Sequence, residues 1–349
     1  MKYPAERPSA MEEQDFRKEL AKLSLRPLWD VLHSLVPWQP KTPAGPALWS
    51  YGQIAPWLHR AGELVTAEEA ERRVLILENP ALPGQSRITS TLYAGLQLVL
   101  PGEVAPCHRH TQSALRFILK GDSAFTAVDG EKVMMHRGDL ILTPRWRWHD
   151  HGNESAEPIV WLDGLDIPLV AALDAGFAEN LEADNRGGHR ETRPAGDNLI
   201  RFGANMRPAR SLRDEGPTGL ISYPYAQWRP ALDTLAAGTI DQHDGVRMEF
   251  VNPADGSNAM TTMSAFVQLI PKGLQTLGVT STDGAVYTVV EGEGHVSIGQ
   301  TEYDLAEGDI FVVPSWNERR FSASSDLVLF SFSDKAAQER LGLWREQLA

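Results

Sequence analysis

Two segments decide the fold of this chain: APCHRHTQSALRF (residues 105–117) and ILTPRWRWHDHGNES (residues 141–155). In the first, His108 and His110 are two residues apart, so on a β-strand both side chains point to the same side. A third imidazole, His149, follows in the second segment. Three imidazoles that meet inside a β-barrel would bind one face of a metal ion and leave the opposite positions open, as a catalytic metal requires.

The chain contains an internal repeat. Aligning Gly102 with Gly273 also places Gly121 on Gly292, and after a one-residue shift GDLILTP at 138–144 matches GDIFVVP at 308–314. A repeat of this length predicts two copies of one β-barrel unit.

The second copy lacks the metal ligands. Its positions that match the three histidines are Val279, Ser281 and Arg319, which cannot form a comparable site. We therefore expect one metal ion per chain, and a second barrel that buries one face of the first or forms a subunit interface.

Short apolar runs between Gly, Pro and Asp-Gly turn signals predict strands in both copies, and helical patterns flank them, with a break at Pro27 in the N-terminal one. The expected segments are an N-terminal helical and extended segment (1–73), a metal-binding barrel (74–166), a connector (167–259), a barrel without ligands (260–333) and a C-terminal helix (334–349).

Charge and composition disfavour several classes of partner. The 46 acidic residues exceed the 33 basic ones and give a net charge of −13, which disfavours nucleic acid and anionic membrane surfaces. No window approaches the roughly 20 apolar residues of a membrane span, and no signal peptide is recognisable. Cys107 is the only cysteine, so we expect a structural thiol and a cytoplasmic protein.

The paired motif resembles the two signature motifs of the cupin superfamily, whose fold is a small jelly-roll barrel with the metal inside. That superfamily usually has a glutamate ligand after an interval of three or four residues beyond the second histidine, where this chain has Ala114 and Leu115. The difference indicates an all-histidine site, which the gentisate, salicylate and 1-hydroxy-2-naphthoate dioxygenases share. Together with WLDGLDIPL (161–169) and ERRVLILENP (71–80), both motifs resemble gentisate 1,2-dioxygenases over most of the chain.

This resemblance implies a mainly β bicupin with N-terminal helices and a C-terminal helix. It also implies one Fe(II) per chain, although three histidines equally suit Zn, Mn, Ni or Cu. The implied reaction is extradiol-type cleavage of gentisate by dioxygen to maleylpyruvate, in aromatic compound catabolism. Three neutral imidazoles leave the charge of the metal uncompensated, which favours an anionic bidentate ligand such as a carboxylate with an ortho hydroxyl.

Further residues are candidates for the substrate and for proton transfer. Arg116 lies six residues beyond His110, so in a regular strand it enters the barrel, where a buried guanidinium requires an anion. His151 shares the parity of His149 and is a candidate proton donor or acceptor, the role of a histidine at this place in the family. By resemblance, Arg72, Tyr93 and Gln97 line the substrate pocket, and Asp163 is a candidate for orienting a histidine.

Each of these residues also has a structural interpretation: Arg72 as a surface partner of Glu71, His151 as a solvated loop residue, and the others as satisfied polar residues of the core. The remaining histidines have no metal spacing; they are at positions 33, 59, 136, 189, 243 and 295.

Alternative functions remain open at this point. Salicylate or 1-hydroxy-2-naphthoate could replace gentisate as the substrate. An alternative of another class is a non-catalytic cupin that binds a small aromatic acid or serves as a metal-dependent sensor. A sugar isomerase or storage-type bicupin shares the fold but would normally keep a carboxylate ligand or lose the metal. Family resemblance also implies a homotetramer, with the N-terminal helices as candidate interface elements.

Overall fold

The computed structural model of the chain describes residues 9–181, 192–204 and 219–349. Parts of the predicted connector, at 182–191 and 205–218, lie outside these residues, as does His189. The chain divides into two compact units, Met1–Lys41 and Thr42–Ala349. Within the described residues, no helix is long and apolar enough to cross a membrane.

The first unit is helical. Helix α1 (Ala10–Lys22) begins with a capping box, in which the Glu12 amide donates to Ser9 Oγ and the Ser9 amide donates to the Glu12 carboxylate. A 3₁₀ turn (Leu28–Asp30) and helix α2 (Leu32–Leu35) follow Pro27, which confirms the predicted break. An ion pair between Arg17 and Asp30, 2.7 Å between Nε and Oδ2, joins α1 to the turn.

The second unit is mainly β. Its described helices are α3 (Tyr51–Leu64), α4 (Ala67–Ala70), α5 (Ile167–Ala172), α6 (Asp197–Phe202), α7 (Tyr225–Ala236) and α8 (Lys335–Arg340). Its described strands are β1 (Ala47–Trp49), β2 (Val74–Ile76), β3 (Tyr93–Val99), β4 (His108–His110), β5 (Ala114–Lys120), β6 (Ala124–Val128), β7 (Glu131–Met135), β8 (Leu140–Thr143), β9 (His149–Asn153), β10 (Ile159–Leu165), β11 (Ala178–Asn180), β12 (Ser222–Tyr223), β13 (Val246–Glu249), β14 (Ser264–Ile270), β15 (Val279–Ser281), β16 (Ala285–Glu291), β17 (Gly294–Ile298), β18 (Thr301–Leu305), β19 (Ile310–Val313), β20 (Arg319–Ala323), β21 (Leu327–Ser333) and β22 (Glu346–Leu348).

Each barrel is made of two antiparallel sheets. In the first barrel the strand orders are β12-β8-β5-β10-β3-β2 and β11-β4-β9-β6-β7. In the second they are β1-β19-β16-β21-β14-β13 and β18-β17-β20-β15-β22. The predicted pair of barrels is therefore confirmed.

The register of the strands also confirms the internal repeat. His108 pairs with His149 between β4 and β9, and Val279 pairs with Arg319 between β15 and β20. The four residues occupy matching places in the two barrels, as the alignment of the sequence predicts. The second barrel has therefore kept the backbone of the metal site without its ligands.

One hydrophobic core joins the barrels. It combines one face of the β3, β5 and β10 sheet with one face of the β14, β16 and β21 sheet. At its centre the rings of Phe117 and Phe330 stack at 4.0 Å between centroids and 9° between planes. The second barrel thus buries one face of the first, as expected.

The interiors of the barrels differ. Between the two sheets of the second barrel, a separate apolar cluster contains Tyr287, Phe311 and Phe321 with aliphatic side chains around them. The first barrel has a smaller apolar cluster, which includes Ile118 and Trp161. The rest of its interior is left for polar side chains.

Three elements differ from the expected segments. Strand β13 lies within the predicted connector but pairs with β14 of the second barrel, and β1 from the N-terminal segment pairs with β19. The segment 334–349 is helical only over Lys335–Arg340, because Gly342 adopts a left-handed conformation (φ +70°) and the chain then forms β22.

Candidate metal centre

Three histidines converge inside the first barrel. His108 and His110 lie on the same side of β4, and His149 begins the neighbouring strand β9. One ring nitrogen of each lies within 4.8 Å of the other two, and all three side chains are buried. These three residues therefore form a group close enough together to hold one metal ion.

Backbone carbonyls orient the three rings. Nδ1 of His108 lies 2.9 Å from the carbonyl oxygen of Pro106, Nδ1 of His110 lies 2.9 Å from that of Gln112, and Nδ1 of His149 lies 2.8 Å from that of Arg147. Because a carbonyl only accepts, each Nδ1 carries the proton and each Nε2 keeps its lone pair.

The free nitrogens fit a metal ion. Among the described residues, the buried Nε2 of His149 has no hydrogen-bond partner. Burial lowers the pKa of His108 to about 3 and that of His110 to about 4, and it lowers the pKa of His149 well below its usual value. The rings are thus neutral at physiological pH, as metal binding requires. Three neutral imidazoles suit a divalent transition metal.

Arg116 lies on the opposite sheet and faces the same space. Its Nε lies 3.6 Å from Asp163 Oδ1, and one terminal nitrogen donates to Thr143 Oγ1 at 2.7 Å. Trp161 Nε1 also donates to Asp163 Oδ1, at 3.0 Å. Burial raises the pKa of Asp163 to about 6, against the opposing effect of the Arg116 charge. Arg116 has more donors than these two partners use, and its Nε is without a hydrogen bond in the described part of the chain.

Asp163 has different partners from those expected. It contacts Arg116 and Trp161, and no hydrogen bond to a histidine is found among the described residues. The reason is topological, because Asp163 lies on β10 of the six-stranded sheet and the ligands lie on the five-stranded sheet. Asp163 is therefore the carboxylate that faces the charge of Arg116.

His151 lies next to the metal ligands and is fully buried. Its ring centroid is 6.3 Å from that of His149 and 5.6 Å from the ring of Trp161, which it meets at 87°. Within the described residues neither ring nitrogen has a hydrogen-bond partner. Burial lowers its pKa well below the usual value. A neutral imidazole is thus available to give or accept a proton.

The three expected pocket residues occupy different depths. Gln97 is buried on β3, opposite Trp161 in the register, and Tyr93 is half-buried at the start of that strand. Burial, with the Asp163 charge, raises the pKa of the Tyr93 phenol well above its usual value. Arg72 precedes β2 and is exposed, yet its charge is the next cause after burial that lowers the pKa of His108.

Three residues of this region were not singled out from the sequence. Trp161 and Thr143 hold Asp163 and Arg116, and the parity of β10 could have indicated Trp161. Arg73, and not Arg72, is the buried arginine of its pair; it binds Glu103 at 2.7 Å.

In the second barrel a guanidinium takes the place of the third ligand. Arg319 is buried and donates to Asp244 Oδ1 at 2.8 Å. A permanently charged side chain at this position opposes metal binding there.

Comparison with known proteins agrees with this architecture. A cupin domain model matches residues 95–165 and 266–332. Gentisate 1,2-dioxygenase 1 of Aquipseudomonas alcaligenes is 48% identical and covers 98% of both chains. A gentisate 1,2-dioxygenase of a Streptomyces species is 39% identical and covers 95% of this chain and 96% of its own. The crystal structure of salicylate 1,2-dioxygenase from Pseudoaminobacter salicylatoxidans, an adduct with gentisate, has a TM-score of 0.89 at 32% identity and covers 99% of this chain and 96% of its own.

Two barrels of this topology, one of them with three converging imidazoles, define a bicupin, and within residues 9–181, 192–204 and 219–349 these imidazoles form one candidate metal site. The similarity over nearly the full length narrows the class further. The chain belongs to the gentisate 1,2-dioxygenase family, and it is a ring-cleaving dioxygenase.

Proposed function

We propose that this enzyme opens the ring of gentisate (2,5-dihydroxybenzoate) with dioxygen and yields maleylpyruvate, using one Fe(II) bound by His108, His110 and His149. The observation that carries this proposal is the position of a buried arginine, Arg116, across the barrel from three neutral imidazoles. An aromatic acid with an ortho hydroxyl matches both features, because it is an anion and a bidentate ligand.

When bound, the iron brings the ring and dioxygen together and lets electron density pass from one to the other. The ring bond cleaved lies between the carbon that bears the carboxylate and the carbon that bears the adjacent hydroxyl, and both oxygen atoms are incorporated. The remaining roles fall to side chains of this chain.

Arg116 binds the substrate carboxylate. Its guanidinium is held by Asp163 and Thr143 and keeps donors for a second anion. The exposed charge of Arg72 lies near the same space and adds to the attraction. Tyr93 and Gln97 line the pocket on the strand next to β10, where they contact the ring.

His151 moves the proton of the substrate hydroxyl. The imidazole of His151 is neutral, buried and without a hydrogen-bond partner among the described side chains. It accepts that proton as the aromatic ring of the substrate becomes electron-rich. Neighbouring positive charge, above all that of Arg116, disfavours an imidazolium before substrate is bound.

Salicylate is the second candidate substrate. The structural relative at a TM-score of 0.89 is a salicylate 1,2-dioxygenase that also forms an adduct with gentisate. Salicylate carries the same carboxylate and ortho hydroxyl but has no second ring hydroxyl. The same pocket therefore satisfies both, and 1-hydroxy-2-naphthoate is the third member of this series.

The test uses protein reconstituted anaerobically with Fe(II). We expect one iron per chain and oxygen uptake with gentisate, with slower uptake for salicylate and 1-hydroxy-2-naphthoate. His108→Ala should abolish ring cleavage and keep the fold, whereas His136→Ala, at a histidine with a side chain 58% exposed, should match the parent. Full activity of His108→Ala, or no cleavage of any of the three acids by iron-loaded parent protein, would refute the proposal.

We also propose that the enzyme acts in the cytoplasm as a homotetramer. Its single cysteine is compatible with a reducing compartment, and the family resemblance supports the tetramer. Cell fractionation and light scattering of the eluted protein test the two statements separately.

A further inference from the structure

A cluster of side chains outside the first barrel links the strands that carry the histidines. Arg109 stands between His108 and His110 on β4, with its side chain on the other side of the strand. Its guanidinium carbon lies 4.4 Å from the ring centroid of Trp146 and 4.5 Å from that of Trp148. We call Arg109, Trp146, Trp148 and Glu179 the arginine cluster.

The arginine cluster reaches all three proposed ligands through the chain. Trp148 precedes His149, and the Trp146 amide donates to the carbonyl oxygen of His110 at 2.8 Å. The fourth member, Glu179, pairs with Arg109 across β4 and β11 and accepts from two of its nitrogens at 2.9 and 2.6 Å.

The main chain joins the segments of β4 and β9 through a few hydrogen bonds beside their shared register pair, among them Ala105 N to His151 O and Trp146 N to His110 O, each 2.8 Å. Strands β4 and β9 share a single register pair, His108 with His149. A guanidinium between two indole rings adds cation–π attraction, and the ion pair with Glu179 fixes the plane of the guanidinium. The side chains therefore add to the restraint that the main-chain hydrogen bonds provide between the two strands.

The second barrel provides an internal comparison. It repeats the backbone frame: β15 and β20 share one register pair, β22 lies beside β15 as β11 lies beside β4, and Trp316 repeats the left-handed φ of Trp146, 59° against 60°. The Trp316 amide donates to the Ser281 carbonyl oxygen at 2.7 Å, as Trp146 does to that of His110.

Three of the four side chains of the cluster are replaced in this copy, and Trp146 is retained as Trp316. Thr280 stands at the place of Arg109, Gln347 at that of Glu179 and Glu318 at that of Trp148. The frame thus forms without three of the four cluster side chains, and the complete cluster is present in the barrel that has the three histidines.

We propose that Arg109 is a positioning residue for the metal site, which acts through Trp146, Trp148 and Glu179 to hold the two ligand strands at the spacing that one ion requires. This inference rests on the proposed metal site. Loss of the cluster should let the ligands separate more easily, so bound metal should leave faster.

The experiment measures metal release as well as stability. Parent protein and Arg109→Met are loaded anaerobically with Fe(II), and release to an excess of chelator is followed. We expect release about tenfold faster in Arg109→Met, within the range for residues that support metal ligands. In the Co(II)-loaded proteins, the visible absorption bands should shift, because they report ligand geometry.

Arg137→Met is the matched control, because Arg137 is also a half-exposed arginine in an ion pair, 2.9 Å from Glu307, but lies away from the site. It should keep the parent rate and spectrum. If Arg109→Met does not fold, Glu179→Gln, which removes the ion pair and keeps the side-chain shape, is measured instead, with release about threefold faster expected.

The inference would be overturned if these variants released metal at the rate of the parent protein and kept its Co(II) spectrum, whatever their melting temperatures. The cluster would then have a purely structural role. Failure of the metal-site proposal gives a different result, since the parent protein would then bind no metal at all.

Discussion

Arg116 and Asp163 form a buried ion pair whose separation is too long for a hydrogen bond. The distance of 3.6 Å between Arg116 Nε and Asp163 Oδ1 is long for a hydrogen bond, and Asp163 also accepts from Trp161. Desolvation of two charges is costly unless each finds enough partners. Under the proposed function, a substrate carboxylate accepts from the donors of the guanidinium that Asp163 and Thr143 leave free.

We predict that Arg116→Met raises the KM for gentisate by at least about 30-fold, since truncating one partner of a buried charge pair costs about 2 kcal/mol or more. Steady-state oxygen uptake measures the change. Hydroquinone, the same ring without the carboxylate, should inhibit the variant and the parent equally.

Thr143→Val is the control for this prediction, because it removes the neutral hydrogen bond to Arg116 and keeps the charge. The KM of Thr143→Val for gentisate should change by less than the KM of Arg116→Met. Equal losses of affinity for gentisate and hydroquinone in Arg116→Met would place the arginine away from the carboxylate.

At the scale of elements, the packing of β10 against the second barrel depends on a glycine. Gly164 on β10 faces the second barrel, where a Cβ at its position would lie 2.6 Å from Phe332 Cζ and 3.0 Å from Leu115 Cδ1. Both neighbours are fully buried and have little room to move. The glycine is thus required by the close approach of β10 to the other barrel.

We predict that Gly164→Ala lowers the free energy of unfolding by about 1–3 kcal/mol through overpacking, as measured by denaturant titration. Gly176→Ala should have a smaller effect, because the added methyl would meet only the flexible end of Gln112, at 3.3 Å. The double variant Gly164→Ala/Phe332→Leu should recover part of the loss. If Gly164→Ala is as stable as the parent, the two sheets are not packed this closely.

The sequence predicted those elements that have a clear pattern within their own residues. The apolar runs of β3, β5 and β14 could be predicted, and so could β4, because side-chain parity depends only on spacing. The short strands β13 and β22 could not, since they form only by pairing with β14 and β15. The partner of Asp163 also depends on the register between β10 and β5, which no local pattern specifies.

At the scale of the second unit, Thr42–Ala349, the two barrels share their largest hydrophobic core. The stacked pair of Phe117 and Phe330 brings together one ring from each barrel, and both rings are fully buried. The second barrel therefore contributes to the stability of the barrel that has the three histidines.

We predict that Phe330→Ala lowers the free energy of unfolding by about 3–5 kcal/mol and that the two barrels still unfold in a single calorimetric transition. The exposed Met134 on the first barrel, replaced by alanine, should change stability by no more than about 0.5 kcal/mol. Two separate transitions, with only one shifted by Phe330→Ala, would show that the barrels fold independently.

The three Nδ1 contacts to main-chain carbonyls have an evolutionary consequence. Because main-chain carbonyls accept from the three Nδ1 atoms, the tautomers of these imidazoles do not depend on the identity of a neighbouring side chain among the described residues. Substitutions on β3, β5 and β10, the strands of the opposite sheet, can therefore change the substrate pocket while the imidazoles of His108, His110 and His149 keep their orientation. The backbone would thus fix the orientation of the imidazoles, and the side chains would determine the substrate. One ancestral fold could then give rise to enzymes with different preferences among aromatic acids.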